Sequence, residues 1–166
     1  MDVKLFRTAM GTFCTGVTLI STGHDGLISA ITANAFTSVS LDPPLILVCV
    51  DKRSRLNDVI NASGRYAVSI LSSEQEDVSN LFGRPSTNRD DYMFEIWEGL
   101  PVAQGALVHL AADLHATTDG GDHQIYVGRV TSVRMNDGEP LLYYRGGYHD
   151  RAERLRDNPS LRAVNA

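Results

Sequence analysis

Between Thr32 and Ser40 the chain reads TANAFTSVS, and the hydroxyl and amide side chains of Thr32, Asn34, Thr37, Ser38 and Ser40 surround one bulky residue, Phe36. The run is too polar for a core strand and too alternating for a loop. Its donors and acceptors suit hydrogen bonding to something flat. Histidines are the other candidates for chemistry, and of the five, His24 and His149 fall in turn-like stretches while His109 and His115 lie within a strand-like run. For these four, surface or packing roles are expected. His123 differs, because it follows Gly121-Asp122 at the mouth of a hairpin, where an imidazole can project into a cleft. The chain has no G-x-S-x-G elbow, no H-E-x-x-H, no G-x-x-x-x-G-K and no G-x-G-x-x-G. Serine-hydrolase, zinc-protease and P-loop chemistry are thereby set aside, and any bound nucleotide is held without a Rossmann fold.

The elements that must position these groups follow from periodicity and turn chemistry. Val3, Phe6, Ala9, Met10 and Phe13 recur at helical spacing over residues 2 to 13, with Asp2 as a cap. GVTLIST and LISAI, joined at His24-Asp25-Gly26, predict a β-hairpin. Asp42-Pro43-Pro44 stops the polar ribbon, since proline lacks a backbone donor and forces its predecessor to extend. Leu45 to Val50 then reads as a buried strand, so four consecutive strands suggest an antiparallel meander. Ser54 is placed to cap a short helix through Leu56, Val59 and Ile60 that ends near Gly64; RYAVSIL alternates as a strand. Ser73 and Glu76 form a candidate capping box for a helix carrying Val78, Leu81 and Phe82 and ending at Gly83. Arg84 to Leu100, charged and unperiodic, predicts an extended, mobile loop anchored by Phe94 and Trp97. GALVHLAADLHATT and HQIYVGRVTSVRM pair across Asp119-Gly120-Gly121-Asp122, Asn136-Asp137-Gly138 turns again, PLLYYR is a last strand, and the tail from Asp150 is polar and partly helical. About six strands and three helices, with closely spaced turns, point to a mainly β barrel or sandwich.

At 166 residues the chain is expected to form one domain, with a core over about residues 5 to 150 and a tail over 151 to 166. Apolar residues at 43% and charged residues at 21% are ordinary globular values, which argues against disorder. A net charge of −5 with no block of Lys or Arg excludes a broad nucleic-acid surface. Cys14 and Cys49, both in apolar company, lack metal-ligand spacing, so no metal site is expected. Neither a signal-peptide core nor a membrane-length apolar run occurs, which predicts a cytoplasmic protein that makes no membrane contact.

Three separated stretches carry a resemblance: FRTAMGTFCTGVTLIST near the start, TANAFTSVSLDPPLILVCVDKRS in the middle, and GDHQIYVGRV followed by PLLYYRGGY. In order and spacing, over roughly residues 5 to 150, they resemble the short-chain flavin reductases. These are NAD(P)H-dependent reductase components of two-component flavin monooxygenases, with an antiparallel, Greek-key-like FMN-binding split β-barrel. The resemblance implies that Thr32, Ala33 and Asn34, with Ser38, Val39 and Ser40, hydrogen-bond the isoalloxazine edge and ribityl chain of FMN or FAD. Reduction places negative charge near N1 and C2=O of the flavin, so backbone N–H groups there favour the reduced form. Cys49 and Val50 match positions beside the cofactor, with Cys49 a small core residue and not a redox thiol. Arg53 and Ser54 resemble the family's phosphate site, assisted by Asn57; a helix N-terminus, a hydroxyl and a guanidinium together suit a phosphate, although a plain Ser cap beside an exposed Arg has the same pattern. Phe82 and Gly83 match the place where the cofactor tail rests.

Gly121, Asp122 and His123 match the family's GDH motif for the nicotinamide of NADH or NADPH, and Tyr148 its final motif, lining the same pocket. Hydride transfer needs no protein acid or base, so His123 is expected to orient and no catalytic residue is assigned. Ala35 stands where Ser is common in the family, which removes one hydroxyl contact. The resemblance implies a homodimer that supplies reduced flavin to a partner monooxygenase, by diffusion or by direct contact. The alternative is a split-barrel sensor or carrier that binds FMN or a haem-like ligand without turnover.

Overall fold

A computed structural model describes residues 1–84, 89 and 91–149. Helix α1 (Val3–Met10) begins where extended Asp2 accepts the Lys4 N–H through Oδ1 at 2.8 Å. Strands β1 (Thr15–Gly16) and β2 (Thr18–His24) follow, and the Asp25-Gly26 turn, with φ of 49° and 78°, returns the chain as β3 (Leu27–Ala33). Positive φ at both central residues matches the right-handed twist of a tight hairpin. Next come β4 (Phe36–Leu41), β5 (Pro44–Asp51), α2 (Leu56–Ser63), β6 (Arg65–Ile70), a 3₁₀ turn at Ser73–Gln75, and α3 (Glu76–Gly83). β7 (Glu95–Trp97), β8 (Leu100–Val102), β9 (Val108–Gly120), β10 (His123–Met135), β11 (Leu142–Tyr144) and β12 (Gly147–His149) complete the described elements.

Seven strands form one antiparallel sheet in the order β3-β2-β6-β9-β10-β5-β4, so β3 and β4, neighbours in sequence, occupy opposite edges. This replaces the expected meander. Laid flat, the outer strands of such a sheet would stand about 29 Å apart at the usual strand spacing. Only Asn34 and Ala35 link Ala33 to Phe36, a reach of about 11 Å. The sheet must therefore curl until its edges nearly meet, and it forms a barrel split between β3 and β4.

The barrel interior is filled by Ile20, Val48, Val50, Tyr66, Val68 and Tyr126, with Leu56 and Ile60 of α2 closing one end. Each such side chain contributes about 1.5–3 kcal/mol relative to exposure. A Cβ at Gly128 would collide with the Tyr66 hydroxyl, so glycine makes room for that ring. β5 buries Ile46, Val48 and Val50, whereas Leu45, Leu47 and Cys49 stay half-buried on its other face. The uninterrupted apolar run is thus one core face and one partly open face. A second cluster packs Phe82 of α3 with Val17, Leu19, Leu71 and Leu141, flanked by Tyr92 and Phe94.

Other departures have local causes. The capping box is Ser72 with Gln75, one residue earlier than Ser73 with Glu76. Gln75 accepts from the Ser72 N–H and donates to the Gln104 carbonyl, both at 3.0 Å, a double role that the acceptor-only carboxylate of Glu76 cannot fill. Part of the expected loop is the β7–β8 hairpin, turned at Glu98-Gly99 with positive φ at both residues. Phe94 and Trp97 do anchor it, against Phe82 and His109 respectively. Arg145-Gly146, also at positive φ, adds β12 to the single strand expected from PLLYYR, and the strands number twelve among the described residues. Cys14 is exposed. The expected tail from Asp150, and Pro85 and Asn88 of the expected loop, lie outside the described residues.

Helix α1 buries none of its side chains: Val3 is 66% exposed, Phe6 49%, Met10 52%, and Phe13 just beyond it 70%. An eight-residue helix is marginal in water by itself, and this one turns its apolar face outward. No described helix is long and apolar enough to cross a membrane.

Candidate functional site

Antiparallel pairing builds a corner from the end of β5, the start of α2 and the mouth of the β9–β10 hairpin. Asp51 stands directly opposite His123, Val50 opposite Gln124 and Cys49 opposite Ile125. The Lys52 N–H donates to the Asp122 carbonyl at 3.0 Å, which ties the loop after β5 to the GDH turn. His123 Nδ1 lies 2.7 Å from Asp122 Oδ1, and this partner holds the Asp122 carboxyl below its usual range. Lys52 Nζ pairs with Asp119.

Arg53 extends from the same corner and is 90% exposed, yet it is engaged. Its Nε donates to Asp51 Oδ1 at 3.0 Å, its Nη2 to Oδ2 at 2.6 Å, and its backbone N–H to Oδ1 at 2.8 Å. These donors hold the Asp51 carboxyl far below the ordinary range, with a smaller contribution from His123. The Ser54 N–H donates to the Asp51 carbonyl at 2.9 Å, and Ser54 Oγ accepts from Leu56 N–H at 3.3 Å. The helix proper therefore begins at Leu56 with Arg55 as the flanking residue, and Ser54 caps from one position farther out than expected. Asn57 is a brace: Nδ2 donates to the Asp51 and Ser54 carbonyls at 2.9 and 2.8 Å, and Oδ1 accepts from the Tyr126 hydroxyl at 3.0 Å.

The polar ribbon forms one wall beside this corner. Phe36 pairs with Val48 and Ser38 with Ile46, and a bulge between Ser38 and Ser40 leaves Val39 outside the register and 50% exposed. Because β4 and β3 end the sheet, the outer backbone edges of both lack a strand partner among the described residues. Exposed Asn34, Ser38 and Val39 thus lie along a strand edge that no described strand covers, where the backbone presents donors and acceptors of the kind the edge of a flavin ring requires, although the Asn34 carbonyl already accepts from the Phe36 N–H at 3.0 Å and the Ser38 carbonyl from Thr37 Oγ1 at 3.2 Å. Cys49 N–H donates to the Ala35 carbonyl at 3.0 Å, and burial raises the Cys49 thiol pKa. That favours the neutral, unreactive form.

Across the split lies a second group. Thr32 Oγ1 donates to the Ser79 carbonyl at 2.8 Å, and Ser79 Oγ, fully buried, is 2.8 Å from the Tyr148 hydroxyl. Phe82 is buried under Tyr92 and Phe94, with ring centroids 5.1 and 5.6 Å away, so its ring is core. Exposed Gly83 would bring a Cβ only to 3.7 Å from Thr32, which leaves the α3 end open beside the ribbon.

Residues 10–152 match the family model described as flavin reductase like domain. The chain belongs to the flavin reductase family. It is 41% identical over 156 residues to an NADH-dependent flavin reductase of a Rhodococcus species, covering 92% of this chain and 89% of the relative. It is 39% identical over 153 residues to the flavin-dependent monooxygenase reductase subunit HsaB of Rhodococcus jostii, covering 89% and 77%. Among solved structures, the Streptomyces globisporus NADH:FAD oxidoreductase in complex with NAD and FAD fragments superposes with a TM-score of 0.87 at 34% identity, covering 93% of this chain and 95% of that one. In this flavin reductase, the reading of single residues missed Ser79 and Asp51. Ser79 carried no signal beyond its place three residues before Phe82. Asp51 had one, a carboxylate two positions before an arginine at a strand end.

Proposed function

We propose that this chain is an NAD(P)H-dependent flavin reductase that passes hydride from reduced nicotinamide to FMN or FAD and supplies reduced flavin to a partner monooxygenase. The observation that carries the reading is the convergence, at the split of the barrel, of the unpaired ribbon edge, the β5–α2 corner and His123. When bound, the flavin supplies the hydride acceptor. Backbone N–H groups of the ribbon around Asn34 and Ser38 to Ser40, with Thr32 and Ala33, hold the ring, and Cys49 on the open face of β5 floors the site; Val50 turns into the barrel core and borders the site through its backbone alone. Arg53 and Ser54, braced by Asn57, face the phosphate, and Gly83 borders the cofactor tail. His123, its Nδ1 turned to Asp122, presents Nε2 as an acceptor toward the nicotinamide carboxamide N–H. Tyr148, oriented by Ser79, lines the same cleft.

The names of the relatives support NADH as donor and a monooxygenase as recipient. The uncovered α1 face and the half-buried side of β5 support a homodimer. Two free cysteines suit a reducing cytoplasm. Purified protein mixed with NADH or NADPH and FMN or FAD is expected to consume nicotinamide absorbance only when flavin is present. Absence of flavin-dependent oxidation with every pair would overturn the assignment. Sedimentation is expected to give twice the chain mass, and a monomer with flavin bound would refute the dimer.

A further inference from the structure

We infer that Asp51 is an internal competitor of the flavin phosphate, and that its carboxylate sets how loosely phosphorylated flavins are held. The inference rests on the reading of Arg53 and Ser54 as the phosphate site. An anion at that site would take the Arg53 guanidinium and the backbone N–H groups that precede α2. The Asp51 carboxylate takes the same kinds of donor: the Arg53 N–H at 2.8 Å, Nε at 3.0 Å and Nη2 at 2.6 Å. The Ser54 N–H, next in line, is closed off by the Asp51 carbonyl. A phosphate arriving at Arg53 meets a guanidinium whose charge is already matched, with a carboxylate directly behind it. Its energy of binding is the difference between two anions for one cation, not the full attraction.

Three features distinguish this pair from an ordinary surface ion pair. The spacing of two residues closes the ring through the backbone N–H as well as the side chain, so the geometry is set by the strand end. Arg53 is 90% exposed while the Asp51 side chain is 34% exposed, so the guanidinium can swing outward whereas the carboxylate is fixed beneath it. Asp51 also faces His123 across the β5–β10 register, so the same carboxylate borders the nicotinamide side. A protein that must release its flavin after reduction gains from a resident anion that takes back the arginine as the phosphate leaves.

The test compares equilibrium binding of FMN and riboflavin, by quenching of flavin fluorescence, in the wild-type protein, Asp51→Asn and Arg53→Ala. Riboflavin has the same ring without phosphate, so it reports whether the ring site is intact in each variant. Asp51→Asn keeps an acceptor for the Arg53 N–H and removes the charge. It is expected to tighten FMN about three- to tenfold at low salt, with riboflavin unchanged, the gain shrinking as salt is raised. FMN affinity that is unchanged or weakened in Asp51→Asn would overturn the proposal, because Asp51 would then orient Arg53. Equal tightening of riboflavin would overturn it too. The underlying phosphate reading fails separately, if FMN and riboflavin bind alike in the wild-type protein and Arg53→Ala alters neither.

Discussion

The two walls of the candidate site are held by different forces. Where β5 meets α2 and β10, the side chains are polar, at least partly exposed and paired with one another at the surface: Asp51 with Arg53, Asp122 with His123, Lys52 with Asp119. Across the split, Thr32, Ser79 and Tyr148 form a short run of neutral hydrogen bonds over the aromatic packing of Phe82, Tyr92 and Phe94. Exposed ion pairs contribute little to folding and are readily exchanged, whereas buried rings and hydroxyls contribute to stability and resist rearrangement. One wall is thus suited to trading partners with an anionic ligand, and the other to keeping the shape of the cleft.

That contrast can be broken most severely at Phe82. Phe82→Ala is expected to cost about 3–5 kcal/mol of stability, read from the denaturant midpoint, because the ring is enclosed by two others. A loss under about 1 kcal/mol would mean that the neutral wall does not bear on the fold as described.

The next effect is one of pH and concerns neither wall but the packing under the β7–β8 hairpin. His109 is fully buried, its Nδ1 meets Ser69 Oγ at 3.2 Å, and its Nε2 has no partner. Burial and then Arg134 lower its pKa, Glu95 only partly offsetting them. The unfolded chain therefore takes up a proton that the folded chain refuses. Stability is present above the ordinary imidazole value of about 6.5 and is lost as pH falls from there toward the depressed folded value. The sole tryptophan, Trp97, lies 6.0 Å from His109, so its fluorescence reports the change directly. In His109→Gln the slope of unfolding midpoint against pH between 5 and 7 should flatten; an unchanged slope would point to another group.

A smaller effect sits at the hydroxyl pair. Ser79→Ala and Tyr148→Phe should each cost about 1 kcal/mol, and the double variant clearly less than the sum, since both remove one hydrogen bond. Strict additivity would show that the two hydroxyls do not bond. Least of all should Arg53→Ala move the unfolding midpoint, although it weakens FMN relative to riboflavin. A large stability loss there would erase the distinction between the walls.

Much of the fold was legible because short-range chemistry specified it. The Asp2 cap, the Asp25-Gly26 turn and the pairing of β9 with β10 follow from residues a few positions apart. The capping box was misplaced by one residue, since Ser73 and Glu76 satisfy the same local pattern as Ser72 and Gln75. What separates them is the distant Gln104 carbonyl. The β7–β8 hairpin was hidden in a charged stretch because its strands are three residues each and are held by Trp97 and Leu100 against the sheet. In the site, the ribbon and the GDH turn stood out by composition. The engagement of Arg53 by Asp51 and the burial of Phe82 did not, since both depend on what surrounds the side chain.

Alone, the sequence determined the local elements, the mainly β character and the three motifs of a flavin reductase, since each depends on propensity, period or spacing within a short window. Only the tertiary structure decided that the adjacent strands β3 and β4 are sheet edges facing across a split, and that Asp51 and His123 meet. Those facts arise from curling a seven-stranded sheet around one core, a long-range packing result that no local pattern encodes.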